Sequence, residues 1–371
     1  MTRSLLARTS LLAGLLALAA PDAFAQETLS RNPDMLDART SMDLYAGDPD
    51  ILLAEARLEV LYDGAFFSEG PAVAPDGRVY FSDITFTHVS GDPPQAGHIM
   101  RYDPETGRTE VFRSPSGMSN GLKFDARGRL VACEGADHGG RRVTRTDMAT
   151  GKSVILASHY NGYRLNAPND LSIDEKGRIY FSDPKYLGHE PMEQEVFGVY
   201  RIDPDGSITR IITDAGKPNG VAVSPDQKSL YVVSNDNGSP AFDRFPPGTP
   251  PPPKGRMALL AYDLAEDGSA TFREVLVDYA PQDGPDGLVC DVEGNLYVAV
   301  RDMTRPGIYV YSPEGRERAW IPTPTLPTNV GFGRGDRSRT LYVTYGDRSQ
   351  GEASVLAKIE VMKEGYQLPE E

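Results

Sequence analysis

A unit of two short apolar strands joined by a turn recurs six times along this 371-residue chain at a period of about 50. Such a period restricts the fold to architectures that stack or ring one small unit. The copies are SEGPAVAPDGRVYFSD from Ser68, SNGLKFDARGRLVACE from Ser119, PNDLSIDEKGRIYFSD from Pro168, PNGVAVSPDQKSLYVV from Pro218, PDGLVCDVEGNLYVAV from Pro285 and TNVGFGRGDRSRTLYV from Thr328. Turns such as Asp76-Gly77, Lys176-Gly177 and Glu293-Gly294 separate the apolar runs, which is the pattern of a β-hairpin. Two further strand-like runs follow, as in HIMRYDPETGRTEVFR and VYRIDPDGSITRIIT. No helical periodicity interrupts the chain past residue 55.

Six four-stranded units predict an all-β, six-bladed β-propeller over residues 56–371, with a solenoid of stacked sheets as the rival. A ring must close, and the two chain ends show how. Arg57 to Tyr62 (RLEVLY) resembles an outer strand yet precedes the first copy, while the unit from Thr328 to Val361 has material for three strands only. The N-terminal strand is therefore expected to complete the last blade.

Outside the repeat, Arg3 and Arg8 precede an apolar run, Leu11 to Ala20, and then Ala23-Phe24-Ala25. This is the pattern of a cleaved signal peptide over residues 1–25, with export to the periplasm or beyond as the expectation. Residues 26–55 read as an irregular or partly helical lead. The run FPPGTPPPPK, from Phe245 to Lys254, excludes a ladder strand and predicts a surface loop within the fourth blade.

The net charge of −15 excludes a nucleic-acid surface and leaves room for a cation. No segment past the leader is long and apolar enough to predict a membrane span. Cys133 and Cys290 sit in strand-like runs of distant repeats and predict two buried free thiols rather than a disulfide. His88, His98, His138, His159 and His189 lack metal-ligand spacing, which argues against a zinc cluster.

An oxygen-bearing residue precedes the first strand of every copy: Glu69, Asn120, Asn169, Asn219, Asp286 and Asn329, spaced by 51, 49, 50, 67 and 43 residues. Gly follows four of them and Asp170 follows the third. Innermost propeller strands begin at one end of the channel, so equivalent residues converge on a common axis. Two carboxylates and several amide oxygens suit a hard cation such as Ca²⁺ or Mg²⁺. The competing reading is that Asn-Gly and Asp-Gly mark turns, which glutamate at Glu69 does not fit.

SEGP at Glu69, APNDL at Asn169, PNG at Asn219 and GPDG at Asp286 resemble, in that order, the gluconolactonase and senescence-marker-protein (regucalcin) family over residues 56 to 361. Diisopropylfluorophosphatase is a more distant likeness. The resemblance implies one divalent cation in the channel, Ca²⁺ first, with Mg²⁺, Mn²⁺ or Zn²⁺ as alternatives. It implies Glu69, Asn219 and Asp286 as ligands, and Asn169 as ligand or substrate-orienting residue. It gives Asn329 no ligand role, so that residue is read as structural. CEGADHGGRRVTR from Cys133 and YFSDPKY from Tyr180 resemble the bacterial gluconolactonase branch, which implies that Glu134, His138, Arg141 and Asp183 line the mouth and, with Asn120 and Asn169, face the substrate.

A cation with open positions polarises a carbonyl or phosphoryl oxygen. A sugar lactone opened by water is the expected substrate, with Asp286 activating the water. No G-x-S-x-G elbow is present, which disfavours a covalent acyl-enzyme. Phosphotriester hydrolysis at the same centre, favoured by an apolar pocket, and a non-catalytic ligand-binding propeller are the alternatives.

Overall fold

The structure is a computed structural model that describes residues 47–87, 95–238 and 254–369. The expected signal peptide, residues 26–46 of the lead and the proline-rich run up to Pro253 lie outside the described residues.

The described strands form six antiparallel four-stranded sheets, and no α-helix occurs among the described residues. The first blade runs outward from the axis as Ser68–Val73, Val79–Asp83, His98–Asp103 and Arg108–Arg113. The next four blades repeat this order from inner strands Ser119–Phe124, Leu171–Ile173, Pro218–Val223 and Pro285–Cys290. Each inner strand packs against the inner strand of the next blade, and the first touches both the second and the sixth. The ring is a propeller, and the solenoid is excluded.

The sixth blade is composite. Pro327–Phe332, Thr340–Tyr345 and Ser354–Glu360 come from the C-terminal part, and Glu59–Ala65 adds the outermost strand, with Glu59 opposite Lys358 and Ala65 opposite Ser354. Closure in this way gives the sixth blade its fourth strand and holds both ends of the ring in one sheet. The described part of the lead joins the same region: Ile51 and Leu52 are fully buried against the fifth and sixth blades, and Asp48 pairs with Arg318.

Inner strands such as Ser68–Val73 and Pro218–Val223 are buried along their whole length because a neighbouring blade covers each face, whereas outer strands such as Arg108–Arg113 are largely open to solvent. A tyrosine recurs on the second strand of five blades, Tyr80, Tyr180, Tyr231, Tyr297 and Tyr342, and each is at least 97 % buried between blades. Cys133 and Cys290 are buried free thiols, as their separate strands predict. No described helix is long and apolar enough to cross a membrane.

Strand direction gives the ring two different ends. Inner strands start at one end and second strands return to it, so the loops between second and third strands gather there. Tight turns occupy the opposite end. In three of these Asp125, Asp174 and Asp291 each accept two backbone N–H groups. Residues 364–368 cross that end. The Gly365 N–H donates to Ser338 O and the Tyr366 N–H to Cys290 O, while the Tyr366 hydroxyl meets Glu175 and Gln227. Beneath this strap lies a cavity of about 90 Å³ lined in part by Lys123, Phe124 and Leu288.

Candidate metal centre

The repeated oxygen donors sit at a repeated backbone irregularity. Ladder register shifts between Glu69 and Ala72, Ser119 and Leu122, Pro218 and Val221, Pro285 and Leu288, and Pro327 and Asn329. In the third blade the ladder begins only at Leu171, leaving Asn169 and Asp170 ahead of it. Bulges of this kind re-aim a side chain out of the pleat. The glycines that follow are not turn residues here. A Cβ on Gly220 would lie 2.5 Å from the Asp286 carbonyl, and one on Gly121 would run into Asp170 and the Asn169 carbonyl. Close approach of neighbouring blades requires them, so the turn reading of Asn-Gly is replaced by a packing one.

Convergence on one axis is direct. Asn329 Nδ2 in the sixth blade donates to Glu69 Oε2 of the first at 3.2 Å and to Asp170 Oδ2 of the third at 3.4 Å. Blades three and six face each other across the ring, so one amide reaching both the first and third blades lies at its centre. Asn329 Oδ1 accepts from the Val330 N–H at 2.8 Å. Its nitrogen end is thereby turned to the carboxylates, and Asn329 acts as their donor.

Glu69, Asp170 and Asp286 are 3 %, 1 % and 6 % exposed. Burial pushes Glu69 well above the usual carboxylate range, and the charges of Asp286 and Asp170 push it further. Burial also raises Asp170 and lifts Asp286 to about 6, against the lowering effect of Arg301. Arg301 Nη1 stands 3.5 Å from Asp286 Oδ2 and is the ion-pair partner of this trio among the described residues. Three buried carboxylates facing one largely buried guanidinium carry excess negative charge, which a buried site tolerates only with a cation or by protonation.

The amides add oxygen. Asn219 Nδ2 donates to the Tyr186 hydroxyl, and its Oδ1 takes no hydrogen bond among the described residues. Asn120 Oδ1, at the equivalent position of the second blade, is buried with no hydrogen-bond partner. Asn169 is 8 % exposed, and its amide makes no hydrogen bond with a described residue. No group of three or more described His, Cys, Asp or Glu side chains by itself forms a metal-binding cluster; the donor set depends on amide oxygens. All of its donors are hard oxygens, and they fit a divalent cation of the Ca²⁺ type. Glu69, Asn219 and Asp286 would hold it, with Asn169 beside them.

The other expected site residues have protein partners. Glu134 is buried and accepts from Arg142 and Thr144 of its own blade and from Arg113 of the first blade. Arg141 and Asp183 converge on the segment that leads into Asn169: Arg141 Nε donates to the Leu165 and Asn166 carbonyls, and Asp183 accepts from the Asn166 and Ala167 N–H groups at 2.8 Å each. Burial lifts Asp183 to about 7. Asp83 does the same work in the first blade, accepting from Phe66 and Phe67 N–H just ahead of Glu69. His138 is exposed, and its backbone N–H donates to Glu190.

Residues outside the expected set complete the site. Asp170 occupies the place glycine takes in four other copies. Tyr186 and Arg301 come from loops between second and third strands, where no repeat exists to reveal them. One wall is apolar: Phe66, Phe67 and Leu187 pack on buried Ile84, Phe86 and Met118, and the Arg301 guanidinium lies 5.9 Å from the Phe67 ring centre.

The chain belongs to the SMP-30/gluconolactonase/LRE-like family, whose characteristic region matches residues 67–346. A gluconolactonase of Zymomonas mobilis is 29 % identical over 322 residues, covering 79 % of this chain and 80 % of that protein. The solved structure of a gluconolactonase from Xanthomonas campestris is 30 % identical, covers 83 % of this chain and 90 % of its own, and superposes with a TM-score of 0.64. A calcium-binding regucalcin structure from Agrobacterium tumefaciens shares the fold at 20 % identity and a TM-score of 0.62, covering 84 % of this chain and 95 % of its own.

Proposed function

We propose that this protein is a lactonase that opens a sugar lactone, with one divalent cation, Ca²⁺ in the first place, at the axis of the propeller. The observation that carries this reading is the burial together of Glu69, Asp170 and Asp286 from three different blades, with Arg301 as their ion-pair partner among the described residues. The gluconolactonase relatives support the substrate class.

When bound, a divalent cation supplies Lewis acidity toward the ring carbonyl and stabilises the charge that develops on its oxygen. Asp286 takes the proton of the attacking water. Burial raises its carboxyl in the calcium-free protein, and a bound cation would weaken it as a base. Arg301 holds Asp286 from one side and resists its protonation. Asn329 fixes Glu69 and Asp170 and makes no demand on the substrate. Asn169, with an uncommitted amide, is placed to meet a substrate hydroxyl.

The test is acid release from D-glucono-1,5-lactone by the purified protein, with EDTA and then with added Ca²⁺. Activity lost to the chelator and restored by calcium supports the reading, and silence on several lactones sinks it. The apolar wall of Phe66, Phe67 and Leu187 favours a second reading, phosphotriester hydrolysis at the same centre, and a phosphotriester assayed in parallel distinguishes the two. Calcium binding without turnover of either class would leave a ligand-binding propeller. We further propose export, on the leader pattern of residues 1–25; cell fractionation that leaves the protein in the cytoplasm would refute it.

A further inference from the structure

Among the amides at the repeated position, Asn219 and Asn329 differ in what their oxygens do. Asn329 gives its nitrogen to carboxylates and its oxygen to a backbone N–H. Asn219 gives its nitrogen to a tyrosine and to the Asp286 carboxylate, and keeps its oxygen uncommitted among the described residues. The tyrosine is Tyr186, on the loop between the second and third strands of the third blade.

The direction of this contact follows from hydrogen-bond accounting. The Tyr186 hydroxyl donates to the Asn235 carbonyl at 3.0 Å, and Asn219 Nδ2 lies 3.3 Å from the same hydroxyl oxygen. A backbone carbonyl only accepts, and a phenol has one proton, so the Tyr186 oxygen has no proton left for Asn219 and must accept from it. The two ends of an asparagine amide have nearly the same shape, and only a partner of fixed polarity sorts them. Here the Tyr186 hydroxyl is such a partner, and the Asp286 carboxylate, which only accepts, is a second.

A hard cation binds an amide through oxygen, not through its NH₂. We infer that Tyr186 is a positioning residue, which selects the amide orientation in which Asn219 keeps its oxygen for a cation at the axis. This rests on the proposed role of Asn219 as a ligand. Tyr186 is itself held: the Lys217 ammonium sits 4.1 Å from its ring centre, and Lys217 Nζ donates to Asn237 Oδ1 at 2.7 Å. The loop of one blade thus sets the amide of the next.

The experiment is titration of the full chain with CaCl₂ by isothermal calorimetry, comparing wild type, Tyr186→Phe and Tyr186→Leu. Tyr186→Phe keeps the ring under Lys217 and removes only the hydroxyl. The calcium dissociation constant should rise about tenfold in this variant, the lower end for loss of a group that orients a ligand, and at least as far in Tyr186→Leu. The circular dichroism spectrum and melting temperature of calcium-free Tyr186→Phe should match wild type. Unchanged affinity in both variants overturns the role of Tyr186 and leaves the lactonase reading standing. A loss of affinity accompanied by loss of the calcium-free fold also counts against it. A wild-type protein that binds no Ca²⁺ overturns both.

Discussion

The two ends of the propeller are built from the same six repeats and do opposite things with their polar groups. At the turn end each buried aspartate is spent on neighbours: Asp174 accepts from the Lys176 and Arg178 N–H groups, from Arg178 Nε and from the Tyr180 hydroxyl. At the loop end Glu69, Asp170 and Asp286 face one another with fewer donors than lone pairs. Satisfied carboxylates hold a shape, whereas under-satisfied ones hold a charge that something else must meet. The difference between the ends teaches which polar groups are architecture and which are chemistry.

Substitutions at either end can break that division. Asp286→Asn should leave the fold intact and lower lactone turnover by at least about 100-fold, the loss of a general base; measurable acid release close to wild type would remove Asp286 from the reaction. Asp174→Ala should do the reverse. Leaving buried Arg178 unpaired should cost about 3 kcal/mol in chemical denaturation, with kcat/KM at 25 °C unchanged. Loss of activity without loss of stability there would mean the turn end is not purely structural.

Proton competition sharpens the comparison further. Asp286 titrates near 6 in the calcium-free protein, so below that pH a cation must displace a proton, and apparent Ca²⁺ affinity should fall up to about tenfold per pH unit. A raised carboxyl binds its proton more tightly folded than unfolded. The calcium-free protein should therefore lose stability as pH rises from about 4 to about 6 and level off above. A melting temperature that rises through that window would contradict the assignment. The smallest effect belongs to the strap: Tyr366→Phe removes the hydroxyl contacts to Glu175 and Gln227 and should cost about 1 kcal/mol, with no change in lactone kinetics.

What could be read from sequence follows the same division. The ring, its closure by the N-terminal strand and the six axial positions were legible because each blade repeats them, and Glu69 stood out as a glutamate where a turn residue would serve. Asp170 was visible as the one acid among glycines, yet its place at the centre depends on how closely neighbouring blades approach. Tyr186 and Arg301 left no signal, since the loops that carry them differ from blade to blade. Asn329 was set apart from Asn219 by the family resemblance, which gives it no ligand role, and not by its residue type. The structure gives the two amides different partners, with the Val330 N–H on the oxygen of one and the Tyr186 hydroxyl on the nitrogen of the other.

The seam that closes the ring runs beside Glu69. Ser68 N–H and Oγ bond Ser354 Oγ and the Val355 carbonyl, and Thr328 Oγ1 donates to Ser68 O, across 286, 287 and 260 residues of chain. During biosynthesis the first axial carboxylate is therefore made early and fixed last. A nascent or clipped chain lacking the sixth blade would carry five of the six axial positions but no anchored Glu69, so cation binding would report that the last blade had joined the ring.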